Sequence, residues 1–66
     1  MSCIGENMRK RRMELGLTQA RMAQLLIIHR TTYTKYERGY VEPSLDTLCH
    51  IADLLTCSTD YLLGRE

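Results

Sequence analysis

Arg30, Thr31, Thr34, Lys35 and Arg38 are the residues of this chain best suited to chemistry with a partner, and their spacing brings them together. Wound as an α-helix at 100° per residue, they fall within an arc of about 140°, with Tyr33, Tyr36 and Glu37 on the other side. Arginine can pair bidentately with guanine, lysine can donate to guanine acceptors, and threonine offers a base edge either a hydroxyl or a methyl. Such a face suits the reading of a nucleic-acid groove. Catalysis is not expected: the sequence has no nucleophile beside a base, no paired carboxylates in a plausible cleft, no glycine-rich phosphate loop and no metal-ligand set. No cofactor, metal or small-molecule ligand is implied.

The elements that must position this face can be read from stop and cap signals. Helix 1 should run from about Ile4 to Leu15 and stop at Gly16, a position that favours glycine because it needs a left-handed backbone. Thr18 offers a hydroxyl N-cap to helix 2, about Gln19 to Leu26, with Met22, Ala23, Leu25 and Leu26 as its inward stripe. Helix 3, about Arg30 to Arg38, ends at Gly39. Tyr40 to Pro43 form a loop, and Ser44 caps helix 4, about Leu45 to Leu55, whose Leu45, Leu48, Ile51, Ala52 and Leu55 recur at spacings of three and four. Ser58 caps a short fifth helix that Gly64 ends, with Asp60 in its first turn, where the helix dipole favours an anion.

The expected fold class is therefore all-α, a single five-helix domain over residues 1–66 with a helix-turn-helix at about 18–38. A chain of 66 residues buries only about 60% of the surface its unfolded form exposes, so stability is marginal. The net charge of +1 conceals an asymmetry: residues 1–38 carry a balance of +5 and residues 39–66 a balance of −4, which puts the positive half where the outer face of helix 3 lies. No stretch approaches the roughly 20 apolar residues of a membrane span, and the start MSCIGENMRKRR lacks the apolar run of a signal peptide. A cytoplasmic location is expected, with no membrane partner. Cys3, Cys49 and Cys57 show neither CxxC nor Cys/His spacing, so reduced thiols are expected, with Cys49 and Cys57 as small core residues and Cys3 exposed.

Several pieces together resemble the helix-turn-helix family of lambdoid phage repressors and Cro proteins, the XRE type. They are Ile4-Gly5 and Arg9 with Arg12, GLTQ at 16–19, Ala23, KYERG at 35–39, EPSLDTL at 42–48, IAD at 51–53 and DYLLG at 60–64. The resemblance implies a five-helix bundle whose third helix enters the major groove while the start of the second approaches the phosphates. Carried over by position, Arg30, Thr31 and Lys35 would read bases, with Thr34 as a further reader. Thr18, Gln19, Arg38 and Tyr40 would contact the backbone, Gln19 also supporting helix 3, and Arg12 would form a structural ion pair with Glu37. The partner implied is double-stranded DNA, bound by a homodimer at a two-fold symmetric operator. Tyr61, Leu62 and Leu63, which cannot all face one small core, are the expected dimer surface. The function implied is transcriptional regulation, most simply repression; an antitoxin or a protein-interaction module on the same fold is the alternative.

The chain departs from the family pattern in informative places. Ile27 stands where the family turn carries glycine, so either the turn is strained or its geometry differs. His29 replaces a capping hydroxyl at the start of helix 3, and Arg21 replaces a first-turn glutamate in helix 2. Arg11 occupies a commonly apolar position, its stem expected over the core and its head in solvent. The loop Tyr40-Val41-Glu42 lacks the basic residues some members place against phosphates, so non-specific affinity should be modest and its salt dependence shallow, about −0.9 in log–log slope per neutralised phosphate. His50 has no partner at metal spacing and is assigned no site.

Overall fold

Three hydroxyl caps and three left-handed glycines delimit the helices. In a computed structural model, which describes residues 3–66, the chain forms α1 (Ile4–Glu14), α2 (Gln19–Leu26), α3 (Arg30–Arg38), α4 (Leu45–Leu54) and α5 (Thr59–Leu63). Met1 and Ser2, the start of the expected domain, lie outside the described residues. The hydroxyls of Thr18, Ser44 and Ser58 accept from the backbone N–H of Arg21, Thr47 and Tyr61 at 3.0, 3.2 and 3.0 Å, each satisfying a donor that the first helical turn leaves unpaired. Gly16, Gly39 and Gly64 take φ of +72°, +78° and +75° beyond the ends of α1, α3 and α5. Helices 1 and 4 each end one residue earlier than expected.

The core is a single cluster in which Met8, Met22, Tyr33, Ile51, Leu55 and Leu62 are fully buried, flanked by Ile4, Ala23, Leu26, Leu48 and Ala52. Helix α3 packs against both α1 and α2, and α5 closes the bundle against α1 and α4. Gly5 allows the closest approach: a Cβ there would lie 2.4 Å from the Glu37 carbonyl oxygen and 2.5 Å from that of Tyr36. Because the obstacle is backbone, no rotamer change could relieve a side chain at that position.

A second face of α1 caps the two C-terminal helices. Cys3, Asn7 and Arg11 recur every four residues and so share one stripe. The Cys3 thiol donates to the Leu63 carbonyl at 3.5 Å, and Asn7 Nδ2 donates to those of Tyr61 and Leu62 at 3.1 and 3.2 Å. Arg11 Nε donates to the Leu55 carbonyl at 2.9 Å, and its Nη2 donates to Thr56 Oγ1 at 2.9 Å. These donors meet the C-terminal ends of α5 and α4, where the last carbonyls outnumber the helix's own N–H groups, although the Tyr61 carbonyl also takes the Gly64 amide at 3.1 Å. The Arg11 cation lies at the negative end of the α4 dipole. Arg11 thus does more than snorkel. It supports a turn in which Thr56, a β-branched residue, has φ +51°.

The structure corrects three burial expectations. Leu45 is 75% exposed and Cys49 is exposed, because the arc of α4 that meets the core is centred near Leu48 and Leu55, roughly 70° from Leu45 and 110° from Cys49. Leu25 is half-buried. Cys57 is half-buried against the core as expected, its thiol pushed up by burial, and Cys3 is exposed. No helix among the described residues is long and apolar enough to cross a membrane.

Candidate nucleic-acid interface

The turn between α2 and α3 sets the angle at which α3 leaves the bundle. Ile27 adopts φ +57°, ψ +49°, the left-handed conformation usually given to glycine, and its side chain projects into solvent at 90% exposure. The Ile27 and Ile28 amides close the end of α2 on the Gln24 and Ala23 carbonyls at 3.1 and 3.0 Å. The turn therefore keeps the glycine-type geometry despite the residue, at a strain cost of about 1 to 3 kcal/mol. His29 N-caps α3 with no side-chain hydrogen bond.

Helix α3 divides into two faces as its spacing predicts. Tyr33 and Glu37 are buried and Tyr36 is half-buried, while Arg30, Thr31, Lys35 and Arg38 are exposed. These four and Thr34 line a single surface groove with Tyr40, which is 72% exposed. Among the described residues, the side chains of Arg30, Thr31, Lys35 and Arg38 enter no hydrogen bond or ion pair, so their donors are free for a ligand. Thr18 is exposed at the start of α2, with its hydroxyl accepting the Arg21 amide.

Beneath this face lies the expected ion pair. Arg12 Nε and Nη2 donate to Glu37 Oε2 and Oε1 at 2.7 and 3.2 Å, and Nη1 donates to the Leu17 carbonyl at 2.8 Å. The two side chains are 11% and 2% exposed. Gln19 extends the network: its Nε2 donates to Glu37 Oε1 at 3.1 Å, and its Oε1 accepts from the Thr34 hydroxyl at 3.2 Å. One amide N–H of Gln19 remains for another acceptor. Burial alone would raise the Glu37 carboxyl, but hydrogen bonding from Arg12 and Gln19, with the Tyr33 phenol alongside, holds it below its ordinary value. The Arg12 guanidinium is raised by its hydrogen bond to Glu37, against the opposing effect of burial.

Tyr33, expected on the inner side of helix 3 and found there, has one feature its spacing does not show. Its ring is fully buried, and its hydroxyl meets no partner in hydrogen-bond geometry. Burial first, and then the neighbouring Glu37 carboxylate, raise its pKa. Periodicity marks Tyr33 as a core residue, but carries no information on where its hydroxyl would end.

Of the expected dimer residues, Leu62 is a correction: it is fully buried in its own bundle, whereas Leu63 is 39% exposed and Tyr61 is half-buried. Adjacent helical positions point 100° apart, so once Leu62 enters the core, Leu63 must turn outward. No group of three or more His, Cys, Asp or Glu that could hold a metal occurs among the described residues.

A helix-turn-helix family model matches residues 8–62. The chain is 38% identical over 63 residues to the HTH-type transcriptional regulator ImmR of Bacillus subtilis, covering 96% of this chain and 50% of that protein. It is 42% identical over 62 residues to the cryptic phage CTXphi transcriptional repressor RstR of Vibrio cholerae, covering 94% and 55%. The chain thus spans about half the length of these relatives. Its fold superposes on a crystal structure of the P22 c2 repressor in complex with a synthetic operator at a TM-score of 0.89 and 30% identity, covering both chains fully. The match extends from α1 through α5 and includes the hinge, the outer face of α3 and the residues of the buried pair, so the chain belongs to the helix-turn-helix family of the phage-repressor, XRE type.

Proposed function

We propose that this domain binds double-stranded DNA sequence-specifically as a cytoplasmic transcriptional regulator, acting as a repressor. The observation that carries this reading is the outer face of α3, where Arg30, Thr31, Lys35 and Arg38 stand exposed and unpaired on a helix whose inner face is fixed by Tyr33 and Glu37. The operator complex of the P22 c2 repressor, with the same fold, supports it. In this reading Arg30, Thr31, Thr34 and Lys35 meet base edges, and Thr18, the spare Gln19 N–H, Arg38 and Tyr40 meet phosphates. One such helix reads only a few base pairs, so the domain binds a two-fold symmetric operator as a homodimer. Tyr61 and Leu63 provide its contact.

Selection of bound sequences from random duplex DNA tests the proposal. An enriched, two-fold symmetric sequence is expected, and Arg30→Ala should weaken binding by about 1–3 kcal/mol while relaxing preference for a guanine at one position per half-site. A pool without enrichment rules the reading out. Light scattering on Leu63→Glu tests the dimer separately: a variant as dimeric as wild type places the contact elsewhere.

A further inference from the structure

The two threonines on the outer face of α3 are not equivalent. Thr31 is exposed and its side chain makes no hydrogen bond, so its hydroxyl can turn to a donor or an acceptor. Thr34 is half-buried, and its single hydroxyl proton is directed between Gln19 Oε1 at 3.2 Å and the Arg30 carbonyl at 2.9 Å. One O–H cannot also serve a base acceptor. Gln19 does not give way easily, because its other end is held by Glu37, itself locked on Arg12. Thr34 nevertheless lines the groove formed with Arg30, Thr31, Lys35, Arg38 and Tyr40. With the hydroxyl proton held by α2 and by its own helix, the methyl is the group this side chain has left for an apolar contact in that groove.

Among the base edges of the major groove, thymine alone carries an apolar mark, its C5-methyl. We infer that Thr34 is a thymine-reading residue, whose methyl packs on a C5-methyl at one position of each half-site and whose hydroxyl donates no hydrogen bond to DNA. This rests on the DNA-binding reading above and gives it chemical content: the half-site contains a thymine that is distinguished from uracil. Gln19 acts through Thr34 as a positioning residue, choosing which end of the threonine faces outward.

The experiment replaces each thymine of the selected operator in turn with deoxyuridine, which removes only the methyl, and measures affinity for wild type, Thr34→Ser and Thr34→Val. Wild type should lose about fourfold at one thymine per half-site, the size of one buried methyl. Thr34→Ser keeps the hydroxyl and its bond to Gln19, and should bind thymine and uracil alike at that position while any effects at other thymines persist. Thr34→Val should keep the preference despite losing the Gln19 bond; the serine variant decides alone if the valine variant does not fold. Indifference of wild type to uracil everywhere, or a preference that survives unchanged in Thr34→Ser, overturns the assignment and leaves the DNA-binding reading intact. Failure to select any operator removes both.

Discussion

Replacing Ile27 by glycine should stabilise the domain, although it deletes a large apolar side chain. The isoleucine holds φ +57°, and a β-branched residue in a left-handed conformation costs about 1 to 3 kcal/mol. Little is lost in return, because the side chain is 90% exposed and buries almost nothing against the core. Glycine takes back about 0.5–1 kcal/mol through the greater freedom of its unfolded chain. The difference is a gain of between about 0 and 2.5 kcal/mol, centred a little above 1, which in a domain this small raises Tm by about 4–8 °C per kcal/mol. Thermal unfolding followed by circular dichroism measures it, with Ile27→Ala as the control. Alanine retains a Cβ and therefore most of the strain, so it should recover little of the gain. If alanine matches glycine, the benefit comes from removing exposed apolar surface rather than from relaxing the backbone. A loss above about 1 kcal/mol for glycine would refute the strain argument altogether. Thr56 differs: at φ +51° it carries a similar penalty, but its hydroxyl is bound by Arg11, and glycine there would sacrifice that bond.

Two further substitutions probe the layer beneath the recognition face. Glu37→Ala leaves Arg12 buried without its carboxylate and should cost about 3–5 kcal/mol, enough to unfold most of a domain of this size at ambient temperature; an unchanged Tm in calorimetry would show that the pair does not support the fold. The same carboxyl makes stability depend on acid: its folded pKa lies below the ordinary 4.5, so its contribution is complete above that value and is lost as pH falls through the lower folded one. Urea midpoints measured from pH 6 downward should therefore fall below about pH 4.5 in wild type, and less steeply in Glu37→Gln. Tyr33→Phe removes a buried hydroxyl that meets no partner in hydrogen-bond geometry, and with it a cost of desolvation, but also a phenol that helps hold Glu37 ionised, so stability at neutral pH should change by less than about 1 kcal/mol; a drop in Tm of several degrees would reveal a hydrogen bond to that oxygen.

The sequence made the helices legible because their ends are marked by local chemistry. Thr18, Ser44 and Ser58 cap through their own hydroxyls, and Gly16, Gly39 and Gly64 stop helices through their own backbone freedom. The outer face of α3 was legible for a similar reason, since 100° periodicity is a property of the segment itself. What escaped depends on where distant elements meet. Asn7 carries no signal of its own in the sequence and Arg11 suggests only a stem over the core with its head in solvent; the docking of α4 and α5 is what turns both into caps. Leu45 satisfies the apolar spacing of α4 and still lies outside the core, because spacing defines a stripe without fixing which edge of it the neighbours cover. Among Tyr61, Leu62 and Leu63, composition announced that some had to face outward, and packing chose Leu62 to go in.

The unpaired outer face of α3 has a consequence for how such a domain can change. Arg30, Thr31, Lys35 and Arg38 are exposed and carry none of the contacts that seat the helix, which come from Tyr33, Glu37 and the glycine contact at Gly5. Exposed substitutions of this kind alter stability by only about half a kcal/mol. In the proposed DNA-binding role, a new sequence preference would therefore arise there by single mutations without passing through unfolded intermediates. Thr34 is the exception, tied through Gln19 to the buried pair, so the outer residues are free to diversify between relatives while position 34 is constrained by the fold as well as by the ligand.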